Sequence, residues 1–147
     1  LCNAEIFRAA GIYGPGRSPF DSLRDGTARI IEREGQVFNR IHRDDICRII
    51  LAAQAKPRAG RIINLADQKP APQGDIVRHA AALLGVDPPT PQRLEDANLS
   101  PIARSFYVSR RRVGSHVIKP ELNVDLLYPD YEAGLAAILQ AEAQQTS

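Results

Sequence analysis

The 147-residue sequence has no methionine, no tryptophan, two cysteines and three lysines. It also has no apolar run near the roughly 18 residues that a membrane-spanning helix needs. The first residues, LCNAEIFRAAG, lack the basic start and apolar middle of a secretory signal, so no part of the chain is expected to meet a membrane. Cys2 and Cys47 fall in segments that read as strand and helix, with no CxxC pair near either. Reduced thiols in a cytoplasmic protein are the simplest reading. The missing methionine implies that processing or truncation removed the start of the reading frame. His42, His79 and His116 are scattered without companion cysteines, so a metal site is not expected. GxSxG, P-loop and GxGxxG motifs are all absent. The glycines of GIYGPG follow a strand, but a proline interrupts them where a phosphate cradle needs N–H groups.

What is present is a chain of one domain's length, 44% hydrophobic and 24% charged, which predicts a compact fold around one core. Sixteen arginines and three lysines face 17 acids, for a net charge of +2. That balance is too even for polyanion binding by bulk field.

AEIFRAA reads as a buried strand (4–10) running into the loop GIYGPGR. Ser18 and Pro19 start a short helix, PFDSLRD, that Gly26 stops. RII and QVFNRI, joined through Gly35, suit a hairpin. Asp44 or Asp45 caps the helix ICRIILAAQAK, with Ile46, Ile49, Ile50 and Ala53 facing inward. RIINLA is a strand. DIVRHAAALL is a helix with Ile76, Ala80, Leu83 and Leu84 on one face and Gly85 at its end. Residues 86–116 form a long irregular excursion with one helix start at Ser100 and Pro101. Asp130 caps a last helix that carries Leu135, Ile138 and Leu139 inward.

Few residues carry a chemical signal. Tyr13 sits at a strand's carboxyl end, where open α/β sheets place ligands, but no neighbour in sequence lowers its pKa, and packing is the favoured reading. Arg17, just beyond it, is an anion contact by its loop context. In strand phase Arg40 and His42 share one face and Ile41 takes the other. A buried His42 bonded to the cap region is favoured over a general base. RSFYVSRRR, residues 104–112, interleaves aromatics with arginines as single-strand nucleic-acid readers do. With so little net charge, an anionic substrate suits these forks better and nucleic acid is not expected as a partner.

Four segments stand in series: FRAAGIYGPGR (7–17), RIHRDDICRIILAA (40–53), GRIINLADQKPAPQGDIVRHAAALLG (60–85) and KPELNVDLLYPDYEAGL (119–135). Together they resemble the C-terminal half of an extended or atypical short-chain dehydrogenase/reductase of the NAD(P)-dependent epimerase/dehydratase group. The resemblance implies an α/β fold, the C-terminal part of a Rossmann-type doubly wound sheet with its smaller substrate-binding portion, over residues 1–147. It implies NAD or NADP as cofactor of the whole protein. The cofactor glycine motif and the Tyr-x-x-x-Lys pair of that family lie upstream, and no tyrosine here has a lysine four residues later. A fragment without catalytic residues of its own is therefore expected. Ala10, Gly11 and Ile12 would give main-chain contacts to the nicotinamide. Tyr13, Arg17, Arg40, His42 and Arg104 would face a small-molecule substrate, with Arg104 foremost. Sugar-nucleotide members carry asparagine where Gly11 or Ile12 stands and arginine near Phe38, which argues for another substrate class. A truncated sheet would expose an edge that a second chain, in a homo-oligomer, could cover. A non-catalytic binding module on the same fold is the competing reading.

Overall fold

Among the described residues three pairs of short strands, every one of them parallel, organise the fold. The computed structural model describes residues 4–108 and 111–145. Its elements are β1 Ile6–Ala9, β2 Gly11–Tyr13, α1 Pro19–Arg24, β3 Ile30–Glu32, β4 Arg40–His42, α2 Arg43–Ala55, β5 Ile62–Leu65, α3 Gln73–Leu84, β6 Pro91–Arg93, α4 Pro101–Val108, α5 Ile118–Leu122 and α6 Tyr131–Gln145. They divide into two compact units where one core was expected from the length. The first comprises Leu1–Pro15, Asn39–Lys69 and Val113–Ser147; the second comprises Gly16–Phe38 and Pro70–Arg112.

In the first unit β1 pairs with β5 and β2 with β4. Alternation along a strand sends Phe7, Ile63 and Leu65 to one face. There they meet Ile49 and Ala53 of α2 and Ile118 and Leu122 of α5. Ile6 and Ile62, register partners on the opposite face, are about half exposed. Among the described residues β1 has no partner on its other edge. Ile50, expected inward on α2, lies on the rim instead. At the N-terminus of β1, Arg61 is buried and gives two hydrogen bonds to Glu5 Oε2, at 2.7 and 3.1 Å. It also donates to the carbonyls of Ala53 and Lys56, closing the end of α2.

In the second unit β3 pairs with β6, and Ile31, Leu94 and Ala97 form a small core with Leu99 and Tyr107 against it. The Gln73 side chain acts as a surrogate strand for β3, donating to the Arg29 carbonyl at 2.7 Å and accepting from the Ile31 N–H at 3.3 Å. Ser18 caps α1 in a reciprocal box with Asp21, and Phe20 behind them is fully buried. Ser18→Ala is expected to cost about 0.5–2 kcal/mol in urea unfolding, the range for losing such a cap.

Four expectations are corrected. RII and QVFNRI are not a hairpin: Gly35, at φ 70°, does turn the chain, but β3 and β4 each take a parallel partner from elsewhere and Phe38 bridges antiparallel to Ala71. GIY is a strand, not a loop, because β4 pairs with it. The helix after β4 is capped by His42, whose Nδ1 accepts the Asp44 N–H at 3.2 Å, and not by Asp44 or Asp45. The excursion is less irregular than expected: besides the helix expected at Ser100 and Pro101, which forms as α4, it contains the strand β6. The reading of Cys2 lies outside the described residues. Cys47 is a free, exposed thiol, and among the described residues no helix is long and apolar enough to cross a membrane.

Candidate functional site

At Ala10 the backbone changes neighbours. The Ala10 N–H goes to the Leu65 carbonyl at 2.9 Å, and the next N–H, of Gly11, goes to the Asn39 carbonyl on the other side at 3.1 Å. The chain thus leaves β5 and joins β4 within one residue, at the carboxyl end of β1, the end of the strands at which open α/β sheets bind ligands. Gly11 and Ile12 are exposed there and Ala10 is half-buried. A Cβ on Gly11 would sit 3.3 Å from the Asn39 oxygen, so a side chain would crowd the join.

Below the switch the first unit encloses an aromatic and acidic layer. Tyr13 and His42 are register partners and meet edge to face, with centroids 5.1 Å apart. His42 lies against Tyr128 at 4.1 Å. The Tyr13 hydroxyl donates to the Asp130 carbonyl at 3.3 Å. Burial, followed by the charges of Asp67, Asp45 and Asp130, holds the Tyr13 phenol well above its ordinary range. His42 accepts at Nδ1, which puts its proton on Nε2, a buried atom with no partner among the described residues. Burial also lowers its pKa, against the opposing pull of Asp44 and Asp45.

Two acids complete the layer. Asp45 is fully buried in the first turn of α2 and accepts the N–H groups of Leu127 at 2.7 Å and Tyr128 at 3.0 Å. Asp67, just past β5, is 3% exposed. Its Oδ1 accepts the Lys69 N–H at 3.2 Å, while Oδ2 has no partner among the described residues. Burial pushes its carboxyl up to about 6.

The second unit holds a cavity of about 470 Å³ lined in part by Glu32, Glu34, Gln36, Phe38, Arg78 and Arg112. Arg78 is paired with Glu32 and with Asp75. Small-molecule sites fall in this size range. Among the described residues no cluster of His, Cys, Asp or Glu is placed to hold a metal ion.

The structure brings Ala10, Gly11, Ile12, Tyr13, Arg40 and His42 together in the first unit, around β2 and β4. Arg17 and Arg104 belong to the second. Arg17 is exposed. Arg104 donates to the Leu94 carbonyl at 3.0 Å and the Ala97 carbonyl at 2.9 Å, fastening α4 to the turn after β6. Sequence reasoning missed Asp67 and Tyr128. Its one available signal was an acid directly after a β-branched strand.

No family model and no curated protein matches the chain. A solved structure of a functionally unknown conserved protein from Silicibacter pomeroyi is similar at 46% identity and TM-score 0.90, over 95% of this chain and 49% of that one. The human epimerase family protein SDR39U1, solved with NADPH, is similar at 18% identity and TM-score 0.75, over 92% of this chain and 48% of that one. The dTDP-glucose 4,6-dehydratase DesIV from Streptomyces venezuelae, solved with NAD and TYD bound, is similar at 22% identity and TM-score 0.72, over 97% and 44%. The chain spans about half the length of these proteins. Its fold is α/β, that of part of a Rossmann-type short-chain dehydrogenase/reductase.

Proposed function

We propose that this chain, with the fold of about half of an NAD-dependent epimerase/dehydratase, is the C-terminal, substrate-binding half of such an enzyme. The enzyme would be an NAD- or NADP-dependent epimerase, dehydratase or reductase acting on a small hydroxylated or carbonyl compound. The observation that carries the reading is the partner switch at Ala10. It leaves the main chain of Ala10, Gly11 and Ile12 at the carboxyl end of β1, where it can meet a nicotinamide ring. The cofactor, when bound, supplies the hydride chemistry. This chain supplies the floor under the ring and the substrate pocket.

The side chains divide by their surroundings. Tyr13 and His42 are buried and act as framework, holding β2 and β4 at the switch. Within the second unit the cavity beside Phe38 accepts the substrate's body and the exposed Arg17 is the contact for an anionic group, whereas Arg104 is committed to the Leu94 and Ala97 carbonyls. The open edge of β1 and the uncovered Ile6–Ile62 face support a sheet that continues into the other half.

Calorimetry with NAD and with NADPH tests this reading. The 147-residue chain alone is expected to show no saturable binding at micromolar concentration. Joined to the remaining half of the Silicibacter pomeroyi protein, it is expected to bind one of the two. Micromolar binding by the chain alone, or none by the folded joined protein, would overturn the reading.

A further inference from the structure

The loop 66–69 is held from two sides. Toward the strands, the Asp67 N–H donates to the Arg40 carbonyl at 2.6 Å. Toward α6, the Gln68 N–H donates to the Pro129 carbonyl at 2.9 Å, and Lys69 Nζ pairs with Glu132 Oε1 at 2.8 Å. Between these ties sits the Asp67 carboxyl, with one oxygen bonded to its own loop and the other buried with no donor among the described residues. An ionised oxygen in that position is costly, and a neutral carboxyl costs less. The site therefore selects the proton.

We propose that Asp67 is a proton-linked fastener: with its proton on, the loop 66–69 holds the start of α6 against the strand ends, and loss of the proton loosens that hold.

The groups facing Asp67 set the balance. Arg40, from β4, favours the carboxylate, and Asp130, from the N-terminal cap of α6, disfavours it. Lys69, from the same loop, gives its amide. Tyr13, from β2, stays neutral beside it, and its hydroxyl is committed to the Asp130 carbonyl. Asp45 also acts on Tyr13, and His42 packs against it. Burial outweighs Arg40, and the carboxyl titrates near 6 rather than near 4.

The sign follows from linkage. A carboxyl whose folded pKa lies above its unfolded value stabilises the fold below about pH 4, and the contribution is lost as pH rises to about 6. His42 works the other way over part of the same range. Its lowered pKa makes the fold lose stability as pH falls through the ordinary histidine value. Only a comparison with a variant that lacks the Asp67 titration isolates the effect.

Asp67→Asn keeps an acceptor for the Lys69 N–H and removes the charge. Amide exchange at Gln68 and Ala133, whose N–H groups tie the loop and the α6 cap, is measured from pH 4 to 7.5 and corrected for intrinsic rates. Wild-type protection is expected to fall relative to Asp67→Asn by about 10- to 100-fold across this range, the equivalent of one to two pK units. Parallel profiles for the two proteins would overturn the proposal. Should the variant not fold, the ¹³C chemical shift of the Asp67 carboxyl in the wild-type chain decides: a midpoint near 6 supports the proposal and one near 4 sinks it. The outcome is independent of cofactor binding, so it can fail while the redox reading stands.

Discussion

Asp45→Ala is expected to destabilise the first unit by about 3–5 kcal/mol, measured from the urea midpoint at constant slope. The fully buried carboxylate takes two backbone N–H groups, those of Leu127 and Tyr128, in charge-assisted hydrogen bonds. Each is worth about 1.5–3 kcal/mol, and alanine removes both acceptors. The carboxylate also sits in the first turn of α2, where the helix dipole favours negative charge. Asp45→Asn should recover roughly half of the loss, since its one oxygen can serve one of the two amides. Against a total stability of about 5–15 kcal/mol for a domain, the alanine variant should begin to unfold in mild conditions. A loss below about 1 kcal/mol would mean that residues 127 and 128 are held by something else.

Gly134→Val is expected to cost about 3 kcal/mol, by overpacking rather than by loss of a bond. Even the Cβ would lie 2.7 Å from Tyr13 Cε2 and Cζ, and the hydroxyl is nearer still. The ring cannot swing away cheaply: its edge meets His42 and its hydroxyl is bonded to Asp130. The double variant with Tyr13→Ala should lose less than the sum of the two single losses, by at least about 1 kcal/mol. Simple additivity would show that the glycine serves the helix and not the tyrosine.

Local signals in the sequence located what is local in the structure. Ser18, Pro19 and Asp21 mark the start of α1, Gly85 ends α3 in the left-handed conformation, and Asp130 accepts the Ala133 N–H at the start of α6. Long-range partners stayed hidden. An acid at the start of a helix is explained by capping alone, so nothing pointed to the amides that Asp45 binds, 82 and 83 positions later. In the same way β2 is three residues inside a glycine-rich run, and pairing with β4 alone makes it a strand. Asp67 read as one polar residue at the head of a proline-containing loop. Its isolation from water comes from β4 and the cap of α6, which the sequence places far on either side.

The three parallel pairings bear on how the chain acquires its shape. Ile6 pairs with Ile62, Gly11 with Arg40 and Ile30 with Pro91, so every ladder joins segments far apart along the polypeptide. Each ladder must therefore close a long loop before its first hydrogen bond returns any energy, a high contact order that puts folding on the slow side for this size. During that delay β1, β2 and β3 must wait for partners that emerge later from the ribosome. Of the local elements between them, the 13-residue α2 is long enough to be sampled meanwhile, whereas the six-residue α1 must wait for its packing partners.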